Sequence, residues 1–247
     1  MSERIIPADK SLVFAADVQP QRFKPVVGEL AGVEGLGGVK VGFEVGLGIG
    51  LRTATDIVLE ANERLRVVYD HQKAGNDIPE TGNNFARAMR VARVDAAILF
   101  PFTGPKTQER WTKELQERGV SVIVGAEMTH EQIRASEQGY IMDAAFKRMF
   151  ANAVKLGVTD FVVPGNKPNK VTEYKAFFDE EIGEGEYTLW APGFISQRGD
   201  ISETGAVAGP NWNAIVGSAI YNAENIHQAA SELGQRMLEL NRPNPEA

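Results

Sequence analysis

The sequence predicts an α/β fold, a single closed (β/α)8 TIM barrel, and three observations predict it. Eight short apolar runs recur along the 247 residues. They are near-continuous in Val, Ile, Leu and Phe, which is how strands read when both faces are covered. Helical patterns separate most of them, and eight strand–helix units spread evenly along the chain favour closure over an open doubly wound sheet. The length suits one barrel, so one domain is expected over 1–247.

In order, the expected strands are SLVFAADV (11–18), GVKVGFEV (38–45), LRVVYD (65–70), AAILFPF (96–102), VSVIVGAEM (120–128), DFVVPG (160–165), YTLWAPGF (187–194) and AIVGSAIY (214–221). Apolar residues at helical spacing predict helices over 51–65, 84–94, 106–119, 142–157 and 225–240. The glycine-rich segment PQRFKPVVGELAGVEGLGG (20–38) carries no clear period. The tail NRPNPEA, from about 241, is expected to fray.

Hydrophobic residues make up 43% and charged residues 24%, which is ordinary for a globular protein with a sizeable core. There is no cysteine, which removes disulfides, thiolate metal sites and a cysteine nucleophile. A formal net charge of −7 argues against a nucleic-acid surface and against anionic membranes. The start MSERIIPADK has no apolar core of a signal peptide. No apolar run approaches the roughly 20 residues that span a bilayer. A cytoplasmic protein is expected.

Barrels of this kind carry their active sites at the C-terminal ends of the strands. Those ends hold Asp17, Lys40, the stretch YDHQKAGNDIPETG with Asp70, Lys73 and Asp77, then Thr129, and the loop PGFISQRGD beginning at Pro192. Lys40 sits between Val39 and Val41, where an unpaired buried charge would be costly. Asp70, Lys73 and Asp77 can form an alternating network in which each charge keeps its neighbours ionised. One such contact at about 4 Å, with an effective dielectric near 20, is worth roughly 4 kcal/mol before desolvation. A substrate carboxylate forced beside Asp70 would be repelled. Loss of CO2 would relieve that repulsion, and the carbanion left behind would be stabilised and protonated by Lys73, with no cofactor. A solvated salt-bridge loop between strand and helix has the same composition.

YDHQKAGNDIPETG resembles the Asp-x-Lys-x-x-Asp-Ile-Pro-x-Thr signature of the orotidine 5'-phosphate decarboxylase family. Further motifs follow in the family's order: FAADV, KVGFEV, GAEMTH, DFVVPG, APGFISQRGDISET and AIVGSAIYNAEN. The resemblance implies decarboxylation of orotidine 5'-monophosphate to UMP and CO2. By it, Asp17 and Lys40 hold the ribose hydroxyls, Asp70 presses on the substrate carboxylate and Lys73 protonates C6. Asp77 reaches the neighbouring site of a homodimer, with Ile78 and Thr81 beside it. Thr129 meets the pyrimidine amide. Gln197 belongs to the phosphate loop that follows Pro192, and the backbone of Gly217 and Ser218 to the phosphate-binding turn.

Two departures from the family's pattern stand out. Asp70 to Lys73 is one residue longer than usual, and Lys73 to Asp77 is one longer again. Strand alternation would turn Asp70 and Lys73 to opposite faces, leaving His71 to share a face with Lys73. A bulge, helped by Gly75, would restore the shared face. Ser218 also stands where the family commonly places a phosphate-clamping Arg, and Arg198 is the expected substitute. Two alternatives stay open: a metal-dependent sugar-phosphate decarboxylase or aldolase of the same superfamily, and a non-catalytic nucleotide-binding relative. Against the first, Lys40 occupies the position of a metal-binding Glu, and His71, His130 and His227 form no ligand spacing.

Overall fold

The structure, a computed structural model, describes residues 4–71, 75–195 and 200–242. Its strands are β1 (Lys10–Ala16), β2 (Leu36–Gly42), β3 (Arg66–Asp70), β4 (Ala96–Leu99), β5 (Ser121–Gly125), β6 (Asp160–Val162), β7 (Thr188–Pro192) and β8 (Trp212–Val216). Each pairs in parallel with the next, and β8 pairs with β1, so the barrel closes in sequence order. The helices are α1 (Pro20–Glu29), α2 (Phe43–Val45), α3 (Leu51–Ala61), α4 (Gly82–Ala92), α5 (Pro105–Glu117), α6 (Asp143–Lys155), α7 (Pro168–Glu181), α8 (Glu203–Val207), α9 (Ser218–Tyr221) and α10 (Ile226–Leu240).

Several boundaries differ from the sequence expectation. Residues 43–45, expected to continue β2, form α2, and Gly46–Gly50 then make a π turn into α3. Residues 218–221, expected as the end of β8, form α9, while β8 begins earlier, at Trp212. Two of the longer helices, α1 and α7, lie outside the expectation, as does the short α8. In α1 the buried face is Phe23, Val26 and Val27, and it is masked in the sequence by Pro25 and Gly28, both poor inside a helix. In α7 it is Val171, Tyr174 and Phe178, set among polar residues.

Strand alternation sorts the core into two shells. Outward residues such as Phe14, Val39, Val41, Val67, Tyr69 and Phe161 pack under the helices. Inward residues such as Val13, Ala15, Val68, Ile98, Ile123 and Ile215 fill the barrel. Ile5 and Ile6, both buried, join that inner cluster. The inward parity runs through 13 and 15 toward 17, through 38 toward 40, and through 68 to 70. It therefore aims three charged side chains into the barrel mouth.

At the C-terminal ends of β6 and β7 the backbones nearly touch. A Cβ at Gly165 would fall 1.6 Å from the Pro192 carbonyl oxygen, so only glycine fits there. Among the described residues no helix is long and apolar enough to cross a membrane.

Candidate active site

A cavity of about 480 Å³ opens at the C-terminal ends of the strands. It is lined by the inward rows: Ala15 of β1 with Asp17 just past it, Lys40 from β2, Asp70 from β3, and Ile98 of β4 with Phe100 just past it. Past β5 come Glu127, Met128, Thr129 and His130. Pro192, Gly217 and Ser218 complete the far side.

Lys40 anchors the polar floor. It is 6% exposed and Asp70 is 7% exposed, a level at which neither charge is tolerated without a partner. Nζ of Lys40 donates to Asp70 Oδ2 at 3.0 Å and lies 3.7 Å from Asp17 Oδ2. Asp17, just past the end of β1, has its side chain half exposed to the cavity mouth. An acid–lysine–acid row thus crosses the ends of the first three strands. Among the described lining residues Lys40 is the only Lys or Arg.

Asp70 keeps its place in the cavity. β3 ends at Asp70, so strand alternation stops there and no longer dictates which way residues 71 onward face. His71 is turned to the other side: its Nδ1 is 2.6 Å from the outward Tyr69 hydroxyl. Burial, together with the Asp70 charge, pushes the Tyr69 phenol above its usual range. Lys73 lies outside the described residues, as do Gln197 and Arg198.

Asp77, Ile78 and Thr81 do not line this chain's cavity. Asp77 is exposed, and its Oδ1 accepts the Ile78 N–H at 2.7 Å. Ile78 is 58% exposed. The segment is pinned by α5: Thr107 Oγ1 donates to the Asp77 carbonyl at 3.0 Å and Trp111 Nε1 to that of Ile78, which also accepts from Thr81 Oγ1 within the segment.

Glu127 was missed in the sequence, although it stands in an apolar run as Lys40 does. Its side chain is fully buried. Burial pushes its carboxyl up, but donors from Arg134, Tyr174 and Lys167 outweigh that and hold it below the usual range. Arg134 grips it with both Nε, at 2.9 Å, and Nη2, and the Tyr174 hydroxyl donates at 2.6 Å. Among the described residues no group of three or more His, Cys, Asp or Glu is placed to hold a metal ion.

Fold and cavity together define a (β/α)8 barrel whose polar groups gather where such barrels carry their active sites. The model of the orotidine 5'-phosphate decarboxylase / HUMPS family matches residues 10–233, and the chain belongs to that family. It is 29% identical to the orotidine 5'-phosphate decarboxylase of Methanosarcina mazei, over 81% of this chain and 82% of that one. It is 32% identical to the enzyme of the same name from Pyrococcus abyssi, over 79% of this chain and 84% of that one. Among solved structures, the orotidine 5'-monophosphate decarboxylase of Methanocaldococcus jannaschii, complexed with inhibitor BMP, superposes with a TM-score of 0.72. That match has 24% identity and covers 92% of this chain and 98% of the other.

Proposed function

We propose that this chain decarboxylates orotidine 5'-monophosphate to UMP and CO2, without metal or cofactor, in de novo pyrimidine biosynthesis. The observation that carries the reading is Lys40 held between Asp70 and Asp17 on the cavity floor. An ammonium there repels a divalent cation, which supports this reading over the metal-dependent sugar-phosphate branch. Curated relatives named orotidine 5'-phosphate decarboxylase, matched over most of the chain, support the same substrate.

In this reading the substrate carboxylate sits against Asp70, and like-charge repulsion raises the ground state. The C6–carboxylate bond breaks, CO2 leaves, and the electron pair stays on C6. The Lys73 ammonium stabilises that pair and donates its proton to C6, then regains one from solvent. Asp17 and Lys40 hold the ribose hydroxyls, and Lys40 also pairs with Asp70. Thr129 meets the pyrimidine amide. Pro192, Gln197, Gly217 and Ser218 surround the phosphate, and Arg198 supplies the charge that Ser218 lacks. A homodimer brings Asp77, Ile78 and Thr81 to the neighbouring site; their exposure outside this chain's own cavity supports that part. The enzyme acts in the cytoplasm.

The test is product analysis. Chelator-treated protein incubated with orotidine 5'-monophosphate is expected to yield UMP. If UMP does not form, while a sugar phosphate turns over on adding a divalent metal, the chain works as the other branch does.

A further inference from the structure

The cavity wall after β5 is held from outside by two consecutive residues that precede α7. Lys167 Nζ donates to Glu127 Oε1 at 3.2 Å, to the Met128 carbonyl at 3.2 Å and to the His130 carbonyl at 3.4 Å. An ammonium has three donors, and all three are engaged. Asn166 Nδ2 donates to the carbonyl between them, that of Thr129, at 3.0 Å. Three successive carbonyls of a cavity-lining segment are therefore fixed by neighbouring side chains of one other loop. Lys167 is itself set by its backbone: its N–H donates to Pro164, and its carbonyl accepts from Lys170 and Val171.

Glu127 ties this clamp into the core. Lys167 shares its carboxylate with Arg134 and Tyr174, and Arg134 also reaches Asp143 Oδ2 at 3.3 Å and lies over the Phe146 ring. Burying one carboxylate among these donors fixes position more than it adds stability. Thr129 comes shortly after Glu127 in the same segment, and its side chain is exposed to the cavity.

We infer that Asn166 and Lys167 are positioning residues that hold segment 128–130 in the geometry the ligand's base requires. They touch no reacting atom and act through the backbone of Thr129. The inference rests on the proposed orotidine 5'-monophosphate reading for its ligand, but the clamp can be read without any ligand. Contacts to the base persist from ground state to transition state, so loosening the clamp raises KM and spares kcat. A misplacement of about 1 Å is worth up to ~10²-fold at such a site.

The experiment compares wild type with Lys167→Met and Asn166→Ala. It reads kcat and KM for orotidine 5'-monophosphate, and amide hydrogen exchange over residues 126–131 of the ligand-free full chain. Lys167→Met is expected to raise KM at least about tenfold, with kcat within about threefold, and to speed exchange in that segment alone. Asn166 is exposed, so Asn166→Ala keeps the fold and carries the test if Lys167→Met does not. It is expected to give a smaller change of the same kind. Unchanged exchange, or a KM within twofold of wild type in a folded variant, overturns the inference. So does a loss of kcat without a rise in KM. If wild type forms no UMP, the functional reading fails by itself, and the exchange arm still decides the clamp.

Discussion

Lys40 Nζ stands 3.0 Å from Asp70 Oδ2, each side chain at least nine-tenths buried, on inward positions of adjacent strands. The ion pair keeps a negative charge at the floor of the cavity, where a substrate carboxylate would meet it.

Asp70→Asn removes that charge while keeping shape and a hydrogen-bond acceptor for Lys40. The expected outcome is a fall in kcat for orotidine 5'-monophosphate of at least about 10²-fold, the scale of one lost transition-state electrostatic contact. UMP, which lacks the carboxylate, should bind the variant as well as it binds wild type. A folded Asp70→Asn with kcat within tenfold of wild type would remove Asp70 from the mechanism.

Asp160 makes stability depend on pH. It starts β6, and burial drives its carboxyl up to about 6, against hydrogen bonds from Trp190 Nε1 at 2.8 Å and Thr159 Oγ1 at 3.2 Å. A carboxyl whose folded pKa is raised folds most favourably when protonated. Stability is therefore greatest below about pH 4 for this group, and falls as pH rises to about 6. The full penalty is on the order of 2–3 kcal/mol. Asp160→Asn keeps both hydrogen bonds, with Nδ2 now donating to Thr159. Thermal unfolding should show it several degrees more stable than wild type at pH 7.5 and equal at pH 4. An equal gap at both values would contradict this.

Gly165→Ala forces a methyl group onto the Pro192 carbonyl, and neither backbone can yield without separating the ends of β6 and β7. Overpacking of this kind costs about 1–3 kcal/mol. The urea midpoint should fall with the slope unchanged. KM should rise as well, because Val163, Pro164 and Pro192 line the cavity. An unchanged midpoint would mean the strand ends are looser than they stand here.

The barrel was legible because its strands are dense in Val, Ile and Leu, and Asp17, Lys40 and Asp70 stood out as charges at the C-terminal ends of those strands; their common inward parity is seen only in the structure. Helix α1 was hidden by Pro25 and Gly28, and α7 by the polar residues around Val171, Tyr174 and Phe178. Residues 218–221 read as strand because Ala219, Ile220 and Tyr221 continue an apolar run, yet Ile220 is buried from a helical turn. Glu127 carried the same signal as Lys40, a charge inside an apolar run. What no pattern shows is its partners, since Arg134, Lys167 and Tyr174 lie 7, 40 and 47 residues along the chain.

The most direct measurement tracks the ultraviolet absorbance of orotidine 5'-monophosphate with chelator-treated wild type and Lys73→Ala side by side. Cofactor-free decarboxylation through Lys73 predicts steady loss of absorbance with wild type, undiminished by chelator, and none above background with the variant. Turnover retained by Lys73→Ala, or abolished by chelator in wild type, would contradict it.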